Sequence, residues 1–140
     1  PNTIATIGNY AFSDNQLTSL TIPTSVKTIG SSAFEGNKLT SLTIPSSIET
    51  IGSFAFNYNE LSTINFEPNS KLKTIGTYTF QSNKLTNTGL SKLPSSLTSL
   101  ATNAFSNNPD LTQITLTSPK DLEGWPNGGT VDGKTVIYER

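Results

Sequence analysis

Apolar residues recur along the chain in a fixed order that starts again at regular intervals. Leu17, Leu20 and Ile22 are followed by Val26, Ile29, Ala33 and Phe34, and then by Leu39, Leu42 and Ile44. Phe recurs at 12, 34, 56, 80 and 105 and Asn at 15, 37, 59, 83 and 108, so successive intervals are 22, 22, 24 and 25 residues. Self-similarity at such a period marks an array of stacked supersecondary units, and about five turns are visible. The longer intervals have local sources. Residues 66–71 add two positions after the third turn's strand, and Asn87-Thr88-Gly89 adds three in the fourth; loops absorb such insertions most readily.

Within each turn the pattern Leu-x-x-Leu-x-Ile appears as Leu17, Leu20, Ile22, as Leu39, Leu42, Ile44, and in variant form as Leu61, Ile64, Phe66 and Leu111, Ile114, Leu116. Its closing alternation is that of a strand with one buried face. Pro23 and Pro45 follow directly and end the strand, because proline cannot donate the next ladder hydrogen bond. Further apolar columns come next, first Ile4, Val26, Ile48, Leu72 and Leu97, then Ile7, Ile29, Ile51, Ile75 and Leu100, then the Phe column. One turn cannot enclose a core alone. Turns stacked about 4.8 Å apart pair strand with strand and bury a continuous column, so the pattern predicts a β-rich, right-handed parallel solenoid. The column Tyr10, Ser32, Phe54, Tyr78, Asn103 is too polar for a core, and its neighbour reads Ala11, Ala33, Ala55, Thr79, Ala104. Small residues there suit a tight turn of the 3₁₀ type. The concave sheet is therefore expected on Leu-x-x-Leu-x-Ile and the tight turn on the convex side, with Tyr10, Phe54 and Tyr78 as an exposed aromatic stripe.

The run Val26-Lys27-Thr28-Ile29-Gly30-Ser31-Ser32-Ala33-Phe34, with Leu39-Thr40-Ser41-Leu42-Thr43-Ile44-Pro45, resembles the BspA-like, or treponemal-type, leucine-rich repeat. The resemblance extends from residue 1 to about 116. It implies a leucine-rich repeat solenoid from a bacterial or protist cell-surface or secreted protein that binds host or matrix proteins. It also implies a ligand that differs between members and no shared catalytic residue. Many members carry Cys before the strand, where this chain has Asn15, Asn37, Asn59, Asn83 and Asn108.

Composition then narrows the chemistry. The chain has no His and no Cys, which removes imidazole acid–base catalysis, thiol nucleophiles, disulfides and zinc sites built on those ligands. Lys and Arg number 9 against 10 Asp and Glu, for a net charge of −1, so no electrostatic footprint for nucleic acid or an anionic bilayer exists. No apolar run approaches the roughly 18 to 20 residues that span a membrane. No phosphate-binding glycine motif follows Gly8, Gly30, Gly52 or Gly76, and the fifth turn has Ala101 there. Close packing, rather than a positive φ, is the reading for this column. The nearest pair of acids, Asp121 and Glu123, lies on an irregular segment and makes no catalytic dyad; the oxygen-rich Asp14-Asn15 and Asn57-Tyr58-Asn59 lack a calcium-loop pattern. No enzymatic activity, cofactor or metal is expected.

Two sets of residues remain as candidates. The recurrent Asn15, Asn37, Asn59, Asn83 and Asn108 form an expected structural ladder, since a side-chain amide can satisfy backbone groups at a buried corner. The outward positions of the concave strands, Ser19, Thr21, Ser41, Thr43, Thr63, Asn65, Gln113 and Thr115, form a polar, uncharged face of the kind solenoids use for partners. Asn65 and Gln113 interrupt it too often for a regular ice-binding threonine array. Lys38, Glu60 and Lys84, with Lys27, Glu49 and Lys73, alternate in sign from turn to turn and are expected to form solvated pairs of little worth.

After Leu116 the pattern breaks. Asp132-Gly133 between apolar residues is a two-residue hairpin signal, and Trp125, Val131, Val136 and Tyr138 can cover the last turn, as solenoid ends require. The expected organisation is a solenoid over residues 1–116 and a hairpin cap over 117–140. With no Met, and with residues 1–8 aligning to 23–30, the chain reads as part of a longer array with a further turn upstream. The functional expectation is a monomeric, non-catalytic interaction or adhesion module, extracellular or at the bacterial surface. Its partner would be a host or matrix protein or a cell-surface glycan, with no nucleic acid and no membrane insertion; the alternative is a structural spacer.

Overall fold

A computed structural model describes residues 3–140. Pro1 and Asn2, the start of the segment that aligns with residues 23–30, lie outside the described residues. Five coils stack with their equivalent residues in register, and no helix occurs among the described residues. The longest sheet is not on the Leu-x-x-Leu-x-Ile segment. It is built from the two-residue Thr-Ile steps that precede the glycine column: β1 (Thr6–Ile7), β2 (Thr28–Ile29), β4 (Thr50–Ile51), β6 (Thr74–Ile75) and β7 (Ser99–Leu100), all parallel in the order β1-β2-β4-β6-β7. Thr6, Thr28, Thr50, Thr74 and Ser99 pair rung to rung, as do the isoleucines and Leu100 behind them.

On the Leu-x-x-Leu-x-Ile segment, β3 (Ser41–Ile44) pairs in parallel with β5 (Thr63–Phe66). The fourth coil, which carries the Asn87-Thr88-Gly89 insertion, makes only isolated bridges, Leu90 to Ile64 and Leu93 to Leu116. The strand pattern resumes at β8 (Gln113–Leu116), which pairs in parallel with β10 (Lys134–Tyr138), itself antiparallel to β9 (Thr130–Val131). The fold is thus a parallel β-solenoid with two strand-bearing sides, one continuous and one interrupted.

The third side is the Ala-Phe turn, which is not 3₁₀. It is a pair of four-residue turns, seen in coil two as Ala33 N–H to Gly30 O and Glu35 N–H to Ser32 O; the fourth coil keeps the second bond, Gln81 N–H to Tyr78 O. Tyr10, Ser32, Phe54 and Tyr78 hold φ between 54° and 62°, in the third position of the first turn, where a type II turn demands a positive φ. Coils are tied together here by backbone bonds as well: Phe34 N–H donates to Ala55 O at 2.8 Å and Phe56 N–H to Thr79 O at 2.9 Å. Thr79, which replaces alanine in that column, is buried and donates its hydroxyl to Gly76 O at 2.7 Å.

Inside, the Phe column is a continuous stack. Rings of Phe12, Phe34, Phe56, Phe80 and Phe105 lie 5.3 to 5.6 Å apart and within 11° of parallel, each pair adding about 0.5 to 1.5 kcal/mol beyond area burial. Phe12, in the first coil, is 45% exposed while the other four are sealed. Beside them stand the asparagines. Asn59 Oδ1 accepts the N–H of Leu39 at 3.1 Å, and its Nδ2 donates to the carbonyls of Phe34 and Phe56 at 2.9 and 3.1 Å. Asn37, Asn83 and Asn108 repeat this geometry, so each amide closes its own corner and that of the preceding coil. Asn15 bonds only within its own coil.

The C-terminal end is closed by different means. Trp125 is 1% exposed, and its indole N–H donates to Leu100 O at 2.9 Å, occupying a carbonyl of the last strand of the five-stranded sheet. Tyr138 latches it: the hydroxyl donates to Trp125 O and accepts the N–H of Leu122, both at 2.7 Å. Burial raises the Tyr138 pKa above the ordinary tyrosine value. Arg140 stacks 4.3 Å above the Tyr138 ring and binds Asp121 at 2.5 Å. That hydrogen bond, helped by the Asn127 N–H, holds the Asp121 carboxyl below its ordinary value. The β9–β10 turn has positive φ at Asp132 and Gly133, the type I′ geometry that matches hairpin twist. Lys134, only 5% exposed, spends its charge on the Asp132 carbonyl at 3.0 Å and carboxylate at 3.4 Å.

Two substitutions test this packing. Phe56→Ala, in the middle of the stack, is expected to cost about 3 to 5 kcal/mol, and Asn59→Leu at least about 1 to 3 kcal/mol through buried backbone groups left unpaired. Chemical denaturation monitored by the intrinsic fluorescence of Trp125 measures both; near-native midpoints would contradict the stacking scheme.

Candidate functional site

The polar residues expected to form one binding face lie on the interrupted side, in three groups. Ser41 and Thr43 of β3 sit opposite Thr63 and Asn65 of β5, all four exposed and directly paired across the ladder. Their neighbours Leu42, Ile44 and Ile64 point inward and are buried, so the alternation read from the sequence places hydroxyls and one amide outward. Ser19 and Thr21 are exposed on the corresponding segment of the first coil, which is not a strand. Gln113, exposed, and Thr115, half-buried, belong to β8 and are paired with Thr135 and Ile137 of β10. They are separated from Asn65 by the fourth coil.

That coil creates the most distinctive feature of the face. Because its chain is not a strand, a recess of about 570 Å³ opens between β5 and β8, lined by Asn65, Asn87, Ser91, Lys92, Gln113 and Glu139 among others. Asn87 is exposed and acts as a surrogate strand edge: Oδ1 accepts the N–H groups of Thr112 at 2.9 Å and Gln113 at 3.2 Å, and Nδ2 donates to Thr112 Oγ1 at 2.8 Å. Lys92 and Glu139 form a 2.5 Å ion pair at the rim. With both partners at least half exposed, such a pair contributes little to stability but presents one charge of each sign beside the amides of Asn65 and Gln113. Asn87 was read from the sequence only as part of an insertion, and Ser91, Lys92 and Glu139 were not among the candidate residues. The insertion Asn87-Thr88-Gly89 was the available signal, since it disturbs the strand register at that point.

The other strand-bearing side was missed altogether. Thr-Ile-Gly recurs in four coils, with the isoleucine buried in coils two to four and the threonine facing out in all four. The glycines let successive coils approach. A Cβ at Gly52 would stand 2.7 Å from Ser31 N and 2.8 Å from Gly30 C, and one at Gly76 2.8 Å from Ser53 N, although neither glycine has a left-handed φ. At Gly8, in the first coil, a Cβ would meet nothing within 4 Å. Of the expected aromatic stripe, Tyr10 is 65% exposed, Phe54 and Tyr78 are half-buried, and Ser32 is buried between them. Lys84 and Glu60 form the one sign-alternating pair within bonding reach, at 3.8 Å.

No group of three or more acidic residues is placed to hold a metal among the described residues, and no helix there is long and apolar enough to cross a membrane. With this geometry in view, the BspA type leucine-rich repeat region is found in six copies over residues 5–123. The chain belongs to that family. A leucine-rich repeat protein from Bacteroides ovatus ATCC 8483 is similar in structure, at 21% identity and a TM-score of 0.43, over 99% of this chain and 44% of that one. The chain therefore spans under half the length of that protein. Comparison with curated proteins gives no match.

The glycine column makes a contrast within one residue type. Gly52→Ala is expected to destabilise by about 1 to 3 kcal/mol, as overpacking against backbone does, while Gly8→Ala is expected to be neutral or slightly stabilising. Thermal denaturation of the two variants side by side checks the difference.

Proposed function

We propose that this chain is a non-catalytic interaction module of a bacterial surface or secreted protein, and that it takes its partner on the Leu-x-x-Leu-x-Ile side. The observation that carries this reading is the in-register patch Ser41, Thr43, Thr63 and Asn65 beside the recess at the fourth coil. Stacked coils convert single outward residues into an extended surface, which is the usual way solenoids bind. The recess adds amide donors and acceptors and one charge of each sign, a set suited to peptide groups, so a host or matrix protein fits this side better than a cell-surface glycan does. The partner meets the module as a monomer. Membership in the BspA-type family, whose members are associated with bacterial surfaces and secretion and whose repeat fold is generally a non-catalytic one, supports an extracellular setting and an interaction role.

A spacer role competes with this one. The patch carries no aromatic or arginine anchor of the kind that dominates interface energetics, and a stalk needs none. The two readings separate in a capture experiment with host-surface and matrix proteins, run beside the Ser41→Lys, Thr43→Lys double variant. Both side chains are exposed, so the variant is expected to keep its melting temperature within the small range typical of surface substitutions. Loss of a captured partner by the variant supports binding on this side. Equal capture by both moves the site elsewhere, and no capture by either favours the spacer.

A further inference from the structure

The Ala-Phe turn side carries the two most exposed aromatic side chains among the described residues, Tyr10 at 65% and Tyr58 at 63%. Both hold a left-handed backbone, with φ of 60° and 55°, a conformation that side chains other than Gly, Asn and Asp adopt at a cost. The corner at Tyr58 does not call for a ring. The equivalent positions in the other coils are Asp14, Gly36, Ser82 and Asn107, all with positive φ. A strained backbone that holds an aromatic ring out in water points to use of that ring by a partner.

Charge of one sign gathers beside it. Residues 9–14, 31–36, 53–58, 77–82 and 102–107, which make up this side, contain no Lys or Arg and two carboxylates, Asp14 and Glu35. Both reach along the stack toward the coil of Tyr58. Asp14 Oδ1 lies over Gly36, in the space that a side chain would fill there. Glu35 Oε2 accepts the amide of Asn57, the residue before Tyr58, at 2.8 Å. Neither carboxylate is neutralised: the four ion pairs among the described residues lie elsewhere, and Lys38, just past this corner, joins none of them.

Two carboxylates without counter-ions beside an exposed ring suit a cation and repel an anion. Arginine fits best, because its planar guanidinium bonds a carboxylate through two N–H groups and stacks flat on tyrosine, whereas a lysine ammonium is a compact point charge. No third acidic ligand joins them to hold a metal. We propose that this corner is a docking site for an arginine-rich segment of a partner protein, with a guanidinium held between Asp14, Glu35 and the ring of Tyr58. Coils rise about 4.8 Å each, so Tyr10 stands roughly 10 Å back along the stack and extends the contact on the same side. The site is separate from the Leu-x-x-Leu-x-Ile side and does not depend on the reading given for it.

The test titrates the full chain into fluorescein-labelled nona-arginine and nona-lysine at about 150 mM salt, where diffuse surface attraction is screened, and reads anisotropy. Three variants accompany the original. Tyr58→Asn removes the ring and Asp14→Asn the charge, and both keep the left-handed backbone because Asn tolerates positive φ. Glu49→Gln, at the margin of the five-stranded side, removes one carboxylate outside both candidate faces. Saturable binding of nona-arginine, tighter than that of nona-lysine, is expected. Tyr58→Asn or Asp14→Asn weakens it about tenfold and Glu49→Gln leaves it unchanged, with all proteins melting like the original. No binding of nona-arginine at millimolar concentration overturns the proposal. So does equal affinity for nona-lysine, undiminished binding by either Tyr58→Asn or Asp14→Asn, or a loss in Glu49→Gln as large as theirs, which would reduce the attraction to net charge. None of these variants alters Ser41 or Thr43, so this result and the capture experiment stand or fall separately.

Discussion

A single coil of this chain is too thin to shield any side chain from water, and every other property follows from that constraint. Leu39, Phe56 or Ile75 becomes buried only because an equivalent residue lies directly above or below it. Stability therefore resides at the contacts between neighbouring coils, as in other one-dimensional arrays. Those contacts demand strict translational repetition: backbone bonds between turns, pairing of the Thr-Ile steps, and stacking of five phenylalanines all work at one coil spacing. A glycine where a side chain would strike the previous coil's backbone, as at Gly52, is part of the same requirement.

The repetition is also why so much was readable from the sequence. The Phe and Asn columns recur at fixed phase, and their inward position needs no knowledge of distant contacts. The Pro-terminated strand was readable for the same reason, through the alternation around Leu42 and Ile44. The five-stranded sheet was not, because its strands are two residues long and two residues carry no period. Thr28-Ile29 reads as strand only once Thr50-Ile51 is known to lie beside it. The recess at the fourth coil was illegible for a different reason. Lys92 meets Glu139 across the end of the array, a contact outside the repeat and so outside anything that self-similarity can reveal.

Where the repetition stops, the chain changes its chemistry. The C-terminal end exchanges the Asn and Phe columns for a tryptophan, a tyrosine hydroxyl that serves two backbone groups, and a hairpin whose β10 extends the ladder from β8. The N-terminal face keeps the repeat's residues exposed, with Ile4 and Phe12 both partly open to solvent.

The asparagine ladder has a direction. Asn37 completes the backbone of Leu17, Asn59 that of Leu39, Asn83 that of Leu61 and Asn108 that of Leu85, always the coil before. The fifth coil has no successor of this kind; with Pro109 in its corner, the Leu111 N–H turns back to Asn108 O at 3.0 Å. A polypeptide leaving the ribosome from its N-terminus thus exposes each corner incomplete until the following asparagine has been made.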